Sequence, residues 1–468
     1  MHQSLSVLFL IIYVAFVIYT GIRNSNSRNT SDYFLASRSL PAWLLSITFI
    51  ASWWGGGSAI DLVDIAFNDG LASFWIYGVP VLVATLVMFL LAGKIRGANT
   101  ISQSEIIVKR YNQTAGKLLT LFILIFMSLS AAVQVVVIGH FFESSFDISY
   151  TLGAVLGSSI VLIYSMFGGF KGVVLTDLLQ FVFFLAGGII LFFYAYYLSD
   201  GFEAIEAHAQ SSGNHDYTTF WKHAPDYFVY IFTFGTSWAV QANVWQRISA
   251  AKNSNSARKM MAISFFAFIP LYLMVSLTGM FSSVIFDSVP KGGIVAKMIT
   301  MIDIPLLSAL IFVGLCSAIM STMDSLLNTG ALSLTVDIYQ KHINPKASPE
   351  KTVTVARFST LLVFMVALLI GVRIESVLSI SWIGADFITT GAFVPLIGGF
   401  FWKRATARAA VASMIFGLLF SSYNMLIALG IELPAPWQIA SAEQALTGMG
   451  ISLILFIGLS LADKKPQK

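Results

Sequence analysis

Two hydroxyl residues stand side by side in the stretch Ala318-Ile319-Met320-Ser321-Thr322-Met323-Asp324-Ser325. Wound as a helix, it puts Ala318, Ser321, Thr322 and Ser325 at i, i+3, i+4 and i+7, on one face. The two hydroxyls, with an Ala318 carbonyl freed by local distortion, make three hard oxygens. A second segment, Ile50-Ala51-Ser52-Trp53-Trp54-Gly55-Gly56-Gly57-Ser58, sets three consecutive glycines in an apolar run. Each glycine destabilises a helix interior by about 1 kcal/mol, so the helix is expected to unwind there and release the Ala51 and Trp54 carbonyls. Five oxygens without formal charge suit a small monovalent cation better than calcium. Two plainer readings compete. Ser and Thr commonly bond back to their own helix, and glycines let membrane helices pack closely.

Five acids lie in or beside apolar runs: Asp61, Asp64, Asp177, Asp324 and Asp386. No Lys or Arg is read deep inside any of them. Ionisable groups are costly in hydrocarbon and tend to face an internal cavity, and carboxylates without a fixed cation point to a mobile one. Asp61 or Asp64 could receive an amine or a hydroxyl-rich solute; the alternative is a water-filled outer vestibule that hydrates them. Asp386 either lines an outer gate or bonds Thr389.

The elements that must position these residues follow from composition. Of 468 residues 57% are hydrophobic and 11% charged, against about 25% charged in soluble domains. That excludes a soluble enzyme, a disordered chain and a nucleic-acid binder. The one cysteine, Cys316, excludes an intrachain disulfide and a cysteine metal site. Runs of about 20 apolar residues can cross a bilayer, and thirteen are read, at 5–22, 41–67, 71–93, 118–141, 149–167, 174–198, 226–246, 260–285, 304–336, 353–372, 376–402, 407–430 and 444–461. The first lacks a basic n-region and a cleavage site, so it is read as a helix and not as a signal peptide. With the N-terminus outside, only Lys222, Lys291, Lys297 and Arg373 face out; the other 23 of 27 basic residues, Arg28, Arg247, Lys464, Lys465 and Lys468 among them, fall on the cytoplasmic side, as the positive-inside rule asks. No appended soluble domain and no obligatory protein partner is expected. Thr233-Phe234-Gly235-Thr236-Ser237-Trp238 in the seventh span is a milder counterpart of the glycine break. Paired discontinuous helices mark the central site of repeat-built transporters, with spans two to six and seven to eleven as inverted halves.

Several motifs together resemble the sodium:solute symporter family. They are Asp32-Tyr33-Phe34-Leu35-Ala36-Ser37-Arg38-Ser39-Leu40, Phe167-Gly168-Gly169-Phe170 with Thr176-Asp177-Leu178-Leu179-Gln180, Gln246-Arg247 with Ala250-Ala251-Lys252, and Met320-Ser321-Thr322-Met323-Asp324-Ser325. The resemblance implies an all-α polytopic membrane protein of the LeuT type, a 5+5 inverted repeat with one extra N-terminal helix and two C-terminal helices. A single transporter domain would then divide at 1–40, 41–198, 225–402 and 403–468. It also implies a Na2-like sodium site at the carbonyls of Ala51, Trp54 and Ala318 and the hydroxyls of Ser321 and Thr322, with Na⁺ as the coupling ion. Some members hold a second sodium, for which the matching positions are Asp177, Ser321, Asp324 and Ser325; Asp177 could instead serve gating or local structure.

The solute site of the family lies beside the helix breaks, which here brings in Trp53, Gly55, Gly56, Gly57, Ser58, Asp61, Ser237, Trp238 and Gln241. Ala51-Ser52-Trp53-Trp54-Gly55-Gly56-Gly57 is similar to the choline transporter's ATWVGGG, and aromatic faces bind quaternary ammonium well. A second cage tryptophan is missing, since Gln241 stands in its place. Where sialic acid transporters place an arginine in the third core helix, this chain has Gln134 and His140. The expected activity is sodium-driven symport of a small zwitterionic, cationic or neutral solute across the cell membrane, and not catalysis. A proton-coupled transporter working through Asp177 or Asp324, a channel and a transporter-like sensor are the rivals.

Overall fold

The structure, a computed structural model, describes residues 3–23, 30–222 and 224–463. Arg28, Lys464, Lys465 and Lys468, used above for orientation, lie outside the described residues. Among the described residues the chain is all-helical, with one isolated parallel bridge between Leu40 and Ala251. Nine helices there are long and apolar enough to cross a membrane: Gly57–Gly97, Gln113–Phe146, Tyr150–Leu198, Ser254–Ile285, Pro305–Ile343, Pro349–Arg373, Val377–Phe401, Ala407–Ala428 and Glu443–Ala462. Shorter apolar helices run over Leu5–Thr20 and Ala42–Trp53. The tally differs from thirteen for a physical reason. The fifth and sixth spans join through a bend, the second breaks and its later part runs on into the third, the seventh breaks into pieces too short to qualify, and the first falls among the shorter helices.

Polar side chains set where helices begin. Asn112, Ser149, Asn253, Ser348 and Thr406 each accept a hydrogen bond from the amide three residues on, satisfying one of the donors that every helix start leaves open. The fifth and sixth spans run together as Tyr150–Leu198 and bend at Gly169, whose φ of 54° and ψ of −174° are closed to side chains. A Cβ there would also lie 3.1 Å from the ring of Tyr33.

Apolar side chains such as Phe193, Phe358 and Ile454 cover the outside, as a lipid-facing surface requires. Hydrophobic burial does not pull helices together in lipid, so close packing at small residues must. A Cβ on Gly417 would fall 2.3 Å from the Cα of Gly391, and the two helices can touch only because both residues are bare. Pro305–Leu332 carries the serine–threonine pair, is buried along nearly its whole length, and packs most extensively against Tyr150–Leu198.

Gly169→Ala is expected to lower the thermal midpoint of the detergent-purified protein by several degrees, since it forces a side chain into a glycine-only conformation at a cost of about 1–3 kcal/mol. An unchanged midpoint would mean that the bend does not hold this conformation.

Candidate functional site

The helix Ala42–Trp53 stops where the glycine run begins. Trp54 N–H closes the last turn onto Ile50 O at 2.9 Å, and Trp54 then departs from helical geometry at φ −83°, ψ 61°. The chain recovers through a wide turn at Gly57–Asp61 and continues as Leu62–Asp69. The close-packing reading of the glycines holds as well. A Cβ on Gly55 would lie 2.8 Å from Gln134 Oε1 and 2.9 Å from Thr322 Oγ1, and one on Gly56 would lie 2.4 Å from Val137 Cγ1.

In a continuous helix the Ala51 carbonyl would accept from residue 55. Instead it accepts from the hydroxyls of Ser321 at 2.8 Å and Thr322 at 3.3 Å. Ser321 Oγ also lies 3.1 Å from Ala318 O. The two hydroxyls thus reach 270 and 271 residues back in the chain, and Ser321 also bonds back within its own helix, to the i−3 carbonyl rather than the i−4 one. Four of the five expected oxygens are brought together in a buried place. Among the described residues no hydrogen bond links the Trp54 carbonyl to the other four.

Beside this cluster lies a cavity of about 760 Å³, mouth included. Trp53, Gly55, Gly57, Ser58, Trp238 and Gln241 line it, as does Thr322, which therefore faces both the oxygen cluster and the cavity. Gly56 lies just behind, its N–H donating to Gln134 Oε1 at 3.0 Å. Trp53 Nε1–H donates to Gln241 Oε1. Two further expected residues are not on the wall. Ser237 donates back to Phe234 O at 3.0 Å. Asp61 accepts from the hydroxyl of Tyr77, 3.2 Å away, and it is the Tyr77 ring that lines the cavity. Tyr77, Tyr272, Phe126, Phe234 and Ser130 are lining residues that the motifs did not indicate. Only Ser130 had a usable signal, being one helical turn from Gln134 in a mostly apolar span.

The seventh span breaks later than Thr233–Trp238 suggested. A wide turn at Ile231–Gly235 and a short helix Thr236–Ala239 precede the true interruption at Val240 and Gln241, and the chain resumes as Ala242–Ala250. Gly235 has nothing nearer than 3.6 Å to its Cβ position, so it marks no close contact. Two acids have structural partners. Asp64 accepts from Ile294 N–H at 2.9 Å and so caps the helix Ile294–Met301. Asp386 bonds not Thr389 but Thr390, at 3.0 Å, and the amides of Gln444 and Asn424 at 2.9 and 3.4 Å.

The reading that the interior holds no fixed cation is corrected by Arg247. It follows the break at Gln241, and the helix Ala242–Ala250 turns it inward, leaving the side chain fully buried. Its Nη2 lies 3.2 Å from Asp177 Oδ2 and donates to Ser325 Oγ at 2.6 Å. Its Nε meets both Thr48 O and Thr48 Oγ1 at 3.2 Å. Thr48 Oγ1 in turn donates to Asp177, and Ser325 Oγ donates to Asp324 Oδ1 at 3.2 Å. Asp177, Asp324 and Ser325 do come together, but around a guanidinium.

A bundle of helices interrupted at two places, with an oxygen cluster and an aromatic cavity at the interruptions, is the architecture of a secondary transporter. The chain belongs to the sodium:solute symporter family, whose model matches residues 33–417. It is 25% identical over 467 residues to the sodium/glucose cotransporter of Vibrio parahaemolyticus, covering 90% of this chain and 84% of that one. It is 24% identical over 476 residues to the osmoregulated proline transporter of Bacillus subtilis, covering 98% and 94%. The fold is similar to that of a substrate-bound, outward-open Na⁺-coupled sialic acid symporter, with a TM-score of 0.80, 18% identity and 99% of each chain covered. The chain is a multi-pass membrane protein of a family whose curated members are transporters.

Removing the guanidinium while its acids remain buried should cost about 3–5 kcal/mol. Arg247→Met is expected to lower the thermal midpoint sharply, and Arg247→Met with Asp177→Asn to recover much of the loss. A double variant no better than the single one would count against the pairing as the reason for the burial.

Proposed function

We propose that this protein is a sodium-coupled symporter that takes up a small polar organic solute, zwitterionic, cationic or neutral and not purely anionic, by alternating access. The observation that carries the reading is Thr322, which stands in the oxygen cluster with Ser321, Ala51 and Ala318 and also on the wall of the cavity. Sodium binds at this cluster, with the Trp54 carbonyl as its fifth oxygen, and solute binds in the adjoining cavity beside Trp53, Trp238 and Gln241. Oxygen donors without formal charge suit a hard monovalent cation such as Na⁺, and four of the five lie together.

The layout that goes with this function has thirteen membrane helices. Spans two to six (41–198) and seven to eleven (225–402) form two inverted repeats of one domain; the segment 1–40 precedes them and 403–468 follows. The N-terminus lies outside and the C-terminus in the cytoplasm of the cell membrane. One sodium crossing 100 mV contributes about 2.3 kcal/mol, enough to concentrate a solute some fortyfold.

A second sodium at Asp177, Ser321, Asp324 and Ser325, and a proton relay through Asp177 or Asp324, both meet the same obstacle. Arg247 already supplies a positive charge there, so we assign Asp177 to holding that side chain.

In proteoliposomes, Ser321→Ala and Thr322→Ala are each expected to raise the sodium concentration for half-maximal uptake about tenfold or more. Replacing external sodium by potassium at fixed pH should abolish uptake by the unaltered protein. Sodium dependence unchanged in both variants, or uptake that follows a proton gradient in potassium, would overturn the proposal.

A further inference from the structure

The cavity wall carries information about its occupant that the helix breaks alone do not. Resting on the symport reading, we propose that the solute is a zwitterion with a carboxylate at one end and an N-alkylated ammonium at the other, the carboxylate being held by the amide nitrogens of Gln134 and Gln241.

The first observation is the charge of the wall. None of the described residues lining the cavity is Asp, Glu, Lys, Arg or His. The nearest acid, Asp61, is held behind the Tyr77 ring by that residue's hydroxyl, and the buried guanidinium of Arg247 is turned toward Asp177, Thr48 and Ser325. A net anion would find no fixed counter-charge here, and a primary ammonium would find no carboxylate to accept its three donors.

The second observation is which polar ends are already engaged. The hydroxyls of Tyr77 and Ser381 donate to Asp61 and to Val377 O, and those of Tyr272 and Ser58 pair with each other at 2.8 Å. Gln134 and Gln241 differ. Each uses its oxygen on the broken helix, Gln134 for Gly56 N–H and Gln241 for Trp53 Nε1–H, and those bonds fix which end of each amide is oxygen. Both nitrogens then donate to no described group, and neither is sealed off from the cavity. Two NH₂ ends, anchored three residues apart on the break, are left in need of an acceptor. Ser130, one turn before Gln134, adds an unengaged hydroxyl.

A carboxylate fits these donors, and its charge is balanced by the sodium that Thr322 holds at the edge of the same cavity. The remaining wall is aromatic. Trp53 and Trp238 lie with ring centroids 6.0 Å apart, Tyr77 stacks on Trp238 at 6.0 Å, and Phe234 stacks on Trp238 at 5.2 Å. Aromatic faces attract alkylated ammonium, which needs few or no hydrogen bonds. Carboxylate, amide donors, sodium and rings thus account for both charges of the solute without any charged residue on the wall.

The test is a thermal-shift panel on the purified full chain in detergent, with sodium or potassium, followed by titration. L-proline and glycine betaine carry both groups. Choline lacks the carboxylate, 3,3-dimethylbutyrate is the betaine shape without the cation, and glucose has neither. Sodium-dependent stabilisation by proline or betaine and by none of the other three is the expected result. Stabilisation by choline, 3,3-dimethylbutyrate or glucose of equal size overturns the assignment. So does a panel in which nothing stabilises, and sodium-driven uptake of some other solute would then leave the symport reading standing. Gln134→Glu and Gln241→Glu keep the acceptor for Gly56 or Trp53 and delete the donor. Each is expected to weaken the zwitterion at least tenfold at saturating sodium. Solute affinity as in the unaltered protein would also overturn it.

Discussion

A helix that breaks inside a membrane must find new partners for the backbone groups it releases, because no water is there to take them. The rest of the site depends on how this chain meets that constraint. The Ala51 carbonyl is taken by Ser321 and Thr322, and the Gly56 amide by Gln134. The break therefore ties Pro305–Leu332 and Gln113–Phe146 to one point, and an unsatisfied group at any of these places would cost several kcal/mol. A hydroxyl both donates and accepts. The groups that satisfy the carbonyl can turn lone pairs to a cation with only a rotation about their own C–O bonds.

Charge inside the protein is divided into two neighbourhoods. Around Arg247, two aspartates, a serine and a threonine form a buried network in which a cation is permanently present. Its Cζ also lies 5.6 Å from the centre of the Phe170 ring. A buried pair of this kind adds little net stability and is severe to break, which suits a fixture that sets how the segment after Gln241 sits against Tyr150–Leu198. The oxygen cluster and the cavity carry no formal charge at all. An ion and a solute bound there, as proposed, would come and go without leaving a naked charge behind.

The elements legible in the sequence were those written in residue type and close spacing. The serine–threonine pair, the glycine run and the apolar runs are of this kind; the first two stand where their pattern pointed, and the apolar runs are helical but joined and broken differently from the thirteen spans read. What escaped was long-range geometry. Arg247 reads as one more cytoplasmic cation until the break at Val240 and Gln241 turns its helix inward. The later position of that break was hidden because Gly235, the visible cue, tolerates helical geometry, whereas Val240 and Gln241 have no composition that signals a break. Tyr77 and Tyr272 resemble dozens of other aromatics in a membrane sequence, and only the fold tells lining from packing. Asp61 had the chemistry of a ligand group and lost that place to the tyrosine in front of it.

In the proposed symport, Thr322 would make the coupling a matter of shared structure and not of distance. Its side chain belongs to the oxygen cluster and to the cavity wall, and Gly55, the residue between them, could not carry even a methyl group without striking both Thr322 and Gln134. On the proposed reading, sodium at the cluster would fix the hydroxyl and the carbonyls of the break, and with them the wall that a solute meets. Solute in the cavity would fix the same atoms for the ion. The two affinities must then rise together by the same factor, and because both ligands depend on one arrangement of the broken helix, each favours whichever conformer presents it. No signal has to travel, since the ion and the solute would be neighbours across a single glycine.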